Sequence, residues 1–120
     1  MARKVAHAGD KFRIAFATDK DGGSPALNFF ERLDLVDQAK LMNLFRIAGD
    51  QAAFHNPEKF GILGGGLFEF KSFQIRMPFA YAASQPGLIL ITHGFIKKKQ
   101  KTPRAEIERA WRICHGDQKL

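Results

Sequence analysis

The fold of this chain is decided by one stretch of its second half, which reads Leu88-Ile89-Leu90-Ile91-Thr92-His93-Gly94-Phe95-Ile96 and runs into Lys97-Lys98-Lys99-Gln100-Lys101. The first nine residues predict a buried strand, because they are mostly apolar and rich in β-branched side chains. Thr102-Pro103 then begins an amphipathic helix that is predicted to extend to His115. The lysines therefore lie between a strand and a helix, a rigid setting that can hold one phosphate in one geometry.

The residues before this stretch predict the rest of the fold. Alternation of polar and apolar side chains predicts strands over Lys11–Thr18, Leu67–Phe73 and Gln74–Ala83, followed by Leu88–Lys97. The turn signal at 84–87 makes the last two strands an antiparallel pair. The predicted class is therefore α+β: a strand, a helical hairpin, three antiparallel strands and a C-terminal helix, with helices packed on one face of a small sheet.

The helical hairpin is predicted from its caps. Ser24 caps the first helix with Pro25 at its first position, and Asp34 caps a second helix that is predicted to end at Gly49. Helices joined so closely fold back on one another and turn their apolar faces to the sheet.

Composition predicts one domain, residues 1–120, with a polyanionic partner. The chain carries a net charge of +7, of which residues 1–60 contribute +1 and residues 61–120 contribute +6. The basic half therefore predicts a surface for nucleic acid ahead of an acidic protein or a membrane.

Several classes of function are disfavoured by the sequence. The single cysteine, Cys114, cannot form an internal disulfide, and the scattered histidines show no metal-ligand spacing, so neither a metal nor a cofactor is predicted. No apolar run approaches the roughly 18 residues that span a membrane, and no signal peptide is evident, so a cytoplasmic location is predicted.

Strand alternation also predicts a candidate site. Phe68 and Phe70 point to one face of the sheet, whereas Glu69 and Lys71 point to the other, together with Arg76 of the next strand. These charges, beside the lysine run, predict an anion pocket; a simply solvated sheet face is equally compatible with the pattern.

His93 is the remaining residue of interest. Alternation places it on the same face as Ile91 and Phe95, where most histidines are structural. Nearby cations would depress its pKa and favour a base instead.

The sequence resembles a known group of proteins at motif level over roughly residues 60–112. The matching motifs are Gly66-Leu67-Phe68-Glu69-Phe70-Lys71, Ile75-Arg76, and the block from Leu90 through His93-Gly94-Phe95, the lysines and Thr102-Pro103 to Ala110. They resemble the phage-derived HigB-type toxins of the RelE/ParE superfamily. Two positions depart from that group, which usually has Arg at Lys71 and Tyr at Ile75.

The resemblance implies a type II toxin with a helical hairpin on one face of the sheet and an open concave face for RNA. Such toxins typically cleave mRNA, often on the ribosome, and are silenced by a cognate antitoxin that commonly has a helix-turn-helix domain. A toxin–antitoxin heterotetramer is the expected assembly.

Cleavage by the 2′-OH of RNA itself requires a base, cations for the phosphorane and an acid for the leaving oxygen. Arg76 is the expected phosphorane clamp and Lys98 the expected acid, with either His93 or Lys71 as the base. The flanking phosphates would contact Lys97, Lys99, Lys101 and Arg104, and Glu69 would orient Lys71 or Arg76.

Two other functions stay open at this point. One is a non-enzymatic, ParE-like inhibitor of a protein target such as DNA gyrase, against which the convergence of cations argues. The other is a catalytically impaired module that only binds its antitoxin, which the departures at Lys71 and Ile75 would allow.

Overall fold

The computed structural model describes residues 3–118 and confirms the α+β class. Within these residues the elements are β1 (Lys4–Ala8), β2 (Arg13–Phe16), α1 (Pro25–Arg32), α2 (Leu35–Gln51), β3 (Phe60–Gly64), β4 (Leu67–Ser72), β5 (Ile75–Tyr81), β6 (Leu88–Ile91), β7 (Phe95–Ile96) and α3 (Arg104–Gln118). The predicted strands and helices are all present. The additional strands β1 and β3 lie at the two edges of the sheet.

The sheet has the strand order β1-β2-β6-β5-β4-β3, and β7 pairs with β5 alongside β6. The predicted antiparallel pairing of β5 with β6 is confirmed, and β2 pairs with β6 in parallel. Strand β1 escaped prediction because its sequence, KVAHA, has a single β-branched residue and no clear alternation. It is held instead by its antiparallel ladder with β2.

The helical hairpin packs on one face of the sheet, as predicted. Ser24 Oγ accepts a hydrogen bond from the Leu27 N–H, and Asp34 Oδ1 accepts one from the Asp37 N–H, so both predicted N-caps are confirmed. The buried side chains between hairpin and sheet include Phe16, Phe30, Leu41, Phe45, Phe70 and Phe79. Burial of such aromatic side chains supplies much of the driving force for folding.

Helix α3 differs from the prediction because it packs on the opposite face of the sheet. Its apolar side chains Ala110, Ile113 and Cys114 cover Ala15, Leu67 and Leu90. The physical reason is that β2 and β6 are almost continuously apolar, so both faces of this part of the sheet must be buried. The Asp117 carboxylate fixes the end of α3 by accepting hydrogen bonds from the Thr18 N–H at 2.8 Å and from Arg3 Nε at 2.8 Å.

The predicted last strand is interrupted by a bulge. Phe79 pairs with Ile91, but Arg76 pairs with Phe95, so the chain gains one residue between β6 and β7. Ile91 and Phe95 consequently point to opposite faces, and the prediction that they share a face is wrong. Gly94 is required here because the Phe29 ring occupies the space of a β-carbon.

Candidate functional site

The bulge brings the lysine run beside Arg76. Strand β7 pairs with the start of β5, and the Lys97 N–H donates to the Gln74 carbonyl at 2.7 Å. The result is a shallow depression of about 320 Å³ lined by Gln74, Arg76, Lys97, Lys98, Lys99 and Gln100. We call it the arginine depression. Among the predicted site residues, the structure therefore gathers Arg76 with Lys97, Lys98 and Lys99.

Arg76 is the most buried residue of the arginine depression, with 9% of its surface exposed. Its Nη1 donates to the carbonyl oxygens of Phe73 at 2.6 Å and Ile75 at 2.9 Å. Its Nε, in contrast, has no hydrogen-bond partner among the described residues. The two carbonyl bonds thus anchor the guanidinium where it lines the depression, whereas Nε is buried and can meet a phosphate oxygen only if the side chain moves.

Glu69 lies beneath this guanidinium and has only 4% of its surface exposed. Its Oε2 is 3.9 Å from Arg76 Nε, which is longer than a hydrogen bond, and its Oε1 has no partner within residues 3–118. Burial raises the pKa of the Glu69 carboxyl and outweighs the opposing effect of Arg76, Lys97 and Lys71. The ion pair is therefore loose, and the predicted orienting role of Glu69 towards Arg76 requires the two groups to move closer.

Lys71 lies on the predicted face of the sheet but at a different depression. Its Nζ donates to the Pro57 carbonyl at 2.8 Å. This second depression, of about 340 Å³, is lined by Lys40, Asn43, Leu44, Glu58, Lys59, Lys71, Ser72 and Phe73. We call it the turn depression, because it adjoins the turn between β4 and β5. The arginine depression begins on the other side of the same turn, at Gln74.

Two predicted RNA contacts lie outside both depressions. Lys101 is exposed in the segment before α3 and is absent from the lining of either depression. The side chain of Arg104 is 90% exposed and its Nε bonds Glu108 at 3.1 Å, one turn along the helix. An exposed pair of this kind is worth little, so Arg104 remains free to exchange Glu108 for a phosphate.

His93 is fully buried and does not contribute to either depression. Its Nε2 lies 3.2 Å from Glu106 Oε1, a carboxylate oxygen that can only accept, so Nε2 carries the proton of the neutral ring and Nδ1, 3.0 Å from the Thr92 hydroxyl, carries none. Burial, followed by Arg109 and Arg112, lowers its pKa to about 3. The ring has no surface that a substrate can contact, so its predicted role as base is wrong for this conformation. It ties the β7 region to α3.

The buried ring makes stability depend on pH. In the unfolded chain His93 titrates near 6.5, and in the folded chain near 3, so the unfolded chain binds more protons between these values. Stability should be fully present above pH 6.5 and fall on acidification, by at most about 1.4 kcal/mol per pH unit. In His93→Gln, whose amide can still donate to Glu106, urea unfolding should show a shallower loss. The exposed His55→Gln is the control, and equal acid sensitivity in all three proteins would contradict the assignment.

Sequence reasoning missed most of the residues that line the two depressions, and four of them illustrate why. Gln74 and Gln100 flank the arginine depression, and Lys40 and Lys59 line the turn depression. Gln74 could have been found, since it lies two residues before Arg76 in the turn that joins the strands. Lys40 and Lys59 belong to α2 and to the segment before β3, and only the tertiary packing brings them to Lys71.

The fold and these depressions define a basic α+β protein with a surface suited to phosphate. The chain belongs to the family of phage-derived Gp49-like proteins (DUF891), whose family model matches residues 28–114. The matched range includes both depressions, and the family is toxin-like, of the RelE/HigB type. No curated protein matches the chain. Within residues 3–118, every helix is too short or too polar to cross a membrane.

Proposed function

We propose that this chain is the toxin of a type II toxin–antitoxin system and that it cleaves mRNA on the ribosome without a metal ion. One observation carries the proposal: an arginine anchored by two backbone carbonyls lines a depression together with three consecutive lysines. Membership of the Gp49-like family supports it, because RelE-like toxins are endoribonucleases.

The proposed reaction is an internal transfer at phosphorus. The 2′-oxygen forms a bond to the adjacent phosphorus, and the bond from phosphorus to the 5′-oxygen breaks. The products are a 2′,3′-cyclic phosphate and a 5′-OH, and the proton lost by the 2′-OH is balanced by the proton gained by the leaving oxygen. No outside reactant is consumed.

Arg76 is the proposed clamp for the phosphorane. Because Nη1 donates to two carbonyls and Nε is buried, Nη2 is the group left to donate to the phosphate, and the guanidinium charge acts most strongly where negative charge develops. Lys98 is proposed to protonate the leaving oxygen or to stabilise its charge, with Lys97 and Lys99 on the flanking phosphates. The buried Glu69 carboxylate, 3.9 Å from Arg76 Nε, is proposed to support this role by moving closer to the guanidinium when RNA binds.

The general base is the catalytic role for which the structure offers the weakest candidate. Of the two bases predicted from sequence, His93 is buried and Lys71 is bonded to Pro57. We therefore propose that the rate enhancement comes mainly from electrostatic stabilisation by Arg76 and the lysines, a contribution that is usually the largest in such sites. Lys71 is kept as the candidate base.

The proposed partner is a cognate antitoxin, with a helix-turn-helix domain and a toxin–antitoxin heterotetramer as the expected assembly. The net charge of +7 favours an antitoxin with an acidic toxin-binding segment.

Induced expression in bacteria, with primer extension on a reporter mRNA, tests the proposal. The wild type should arrest growth and produce new 5′ ends at codon-periodic positions. Arg76→Ala should do neither, and the control Arg32→Ala, an exposed arginine at the end of α1 that lines neither depression, should behave as wild type. Arrest without cuts would overturn the nuclease and favour a ParE-like protein target such as gyrase. Absence of arrest with normal protein levels would leave an impaired antitoxin-binding module.

A further inference from the structure

The turn between β4 and β5 exposes a large aromatic ring. Phe73 is 75% exposed and has a positive φ of 54°, a conformation that is costly for a bulky side chain. A ring this exposed gains little from burial, so apolar packing does not account for its place in a strained turn. Its carbonyl accepts the Arg76 Nη1 hydrogen bond, which fixes the strained residue to the arginine depression.

The surroundings of Phe73 are strongly basic. The turn depression holds Lys40, Lys59 and Lys71, against one carboxylate, Glu58. The Lys40 ammonium lies 4.2 Å from the centre of the Phe73 ring, as in a cation–π contact. An aromatic face surrounded by ammonium groups is the arrangement by which proteins bind single-stranded nucleic acid, with the base on the ring and the phosphate on the cations.

We infer that the turn depression is a nucleotide subsite, in which one RNA base stacks on Phe73 and its phosphate contacts Lys59. The inference rests on the proposed function for the identity of its ligand, RNA. Its volume of about 340 Å³ suits one nucleotide-sized group. Asn43, Glu58 and Ser72 supply polar groups that can bond the edge of the base.

The position of the turn makes RNA a better occupant than an acidic peptide. Ser72 and Phe73 line the turn depression, and Gln74 and Arg76 line the arginine depression, so one strand crossing the turn enters both. A phosphate at Arg76 and a base on Phe73 would then belong to neighbouring nucleotides. Stacking on Phe73 would select single-stranded RNA, because the bases of a duplex are already paired and stacked. It would also position the neighbouring phosphate at Arg76.

Binding of a short RNA that cannot be cleaved tests the subsite separately from catalysis. The probe is a fluorescent hexauridylate with 2′-O-methyl groups, followed by anisotropy. Phe73→Gly removes the ring while suiting the positive φ, and it should weaken binding roughly five- to hundredfold, the equivalent of about 1–3 kcal/mol per stacked base. Phe73→Trp should bind at least as well as wild type. Ile62→Ala, which trims an exposed apolar side chain on β3, is the matched control and should have no effect.

Two further measurements identify what is bound. The wild type should bind an abasic oligomer of the same length more weakly than it binds the hexauridylate. Phe73→Gly should bind the two oligomers with equal affinity. Lys59→Ala should reduce the slope of log affinity against log salt by about 0.7.

Unchanged RNA affinity in Phe73→Gly would overturn the subsite while leaving cleavage at Arg76 standing. The subsite would also be overturned if Phe73→Gly bound a fluorescent Glu/Leu peptide more weakly than wild type but bound RNA with unchanged affinity. That result would indicate a site for an acidic peptide. If the wild type failed to cleave RNA but still bound it in a base-dependent way, the proposed function would be overturned and the subsite would be retained.

Discussion

Arg76→Ala should lower the rate of RNA cleavage by roughly 100-fold or more, as removal of one transition-state donor does in other enzymes. RNA affinity should change little, because the neighbouring lysines still contact the backbone. Cleavage is measured in single turnover on ribosomes programmed with a reporter mRNA, and binding is measured with the uncleavable oligomer. A parallel fall in cleavage and affinity would show that Arg76 only binds RNA.

The control for this prediction must deal with Glu69. Removing Arg76 leaves the buried carboxylate without its nearest cation, which is a destabilising change in its own right. The double variant Arg76→Ala with Glu69→Gln removes both charges and should regain stability without regaining activity. Arg76→Lys keeps the charge and loses the planar fork, so we expect an intermediate rate. Full activity in Arg76→Lys would indicate that charge alone is required.

Local patterns predicted the scaffold of the site well. Alternation in β4 and β5 placed Glu69, Lys71 and Arg76 on one face, since successive side chains of a strand must point in opposite directions. Caps at Ser24 and Asp34 likewise fixed where the two helices of the hairpin begin. These features depend on neighbours a few residues apart, so the sequence contains them directly.

Tertiary geometry decided the features that were missed. The bulge before Phe95 reverses the faces to which the side chains of β7 point. The alternation of residues 88–96 contains no signal of the extra residue. Burial of His93 follows from the packing of α3 on the sheet face that was expected to be open. The turn depression combines residues as distant as Lys40 and Lys71, whose proximity depends on the complete fold.

Gly49 shows how a glycine can be misread. It was predicted to end α2 in the left-handed conformation, but α2 continues to Gln51 and the left-handed cap is Ala52, with a φ of 51°. Gly49 is instead required because the backbone of Gly9 approaches it closely. A β-carbon on Gly9, in the β1–β2 connection, would lie 2.3 Å from the Gly49 carbonyl carbon.

Gly9→Ala should therefore destabilise the protein severely, by roughly 3 kcal/mol or more in urea unfolding. The added methyl group meets backbone rather than a side chain that could move aside, so α2 must shift away. That shift would break the hydrogen bonds that the Gly49 carbonyl accepts from the N–H groups of Lys11 at 2.7 Å and Phe12 at 2.9 Å.

Gly87→Ala separates this packing effect from backbone strain. Gly87 has a φ of 81°, and among the described residues no atom lies within 4 Å of the position that a β-carbon would take. Its replacement should therefore cost only the dihedral penalty of about 1–2 kcal/mol. A cost for Gly9→Ala no larger than that of Gly87→Ala would contradict the close approach of β1 and α2. A much larger loss of unfolding free energy in Gly9→Ala would establish that the helical hairpin is fixed to the sheet at this contact. The contact is too close to accommodate a side chain.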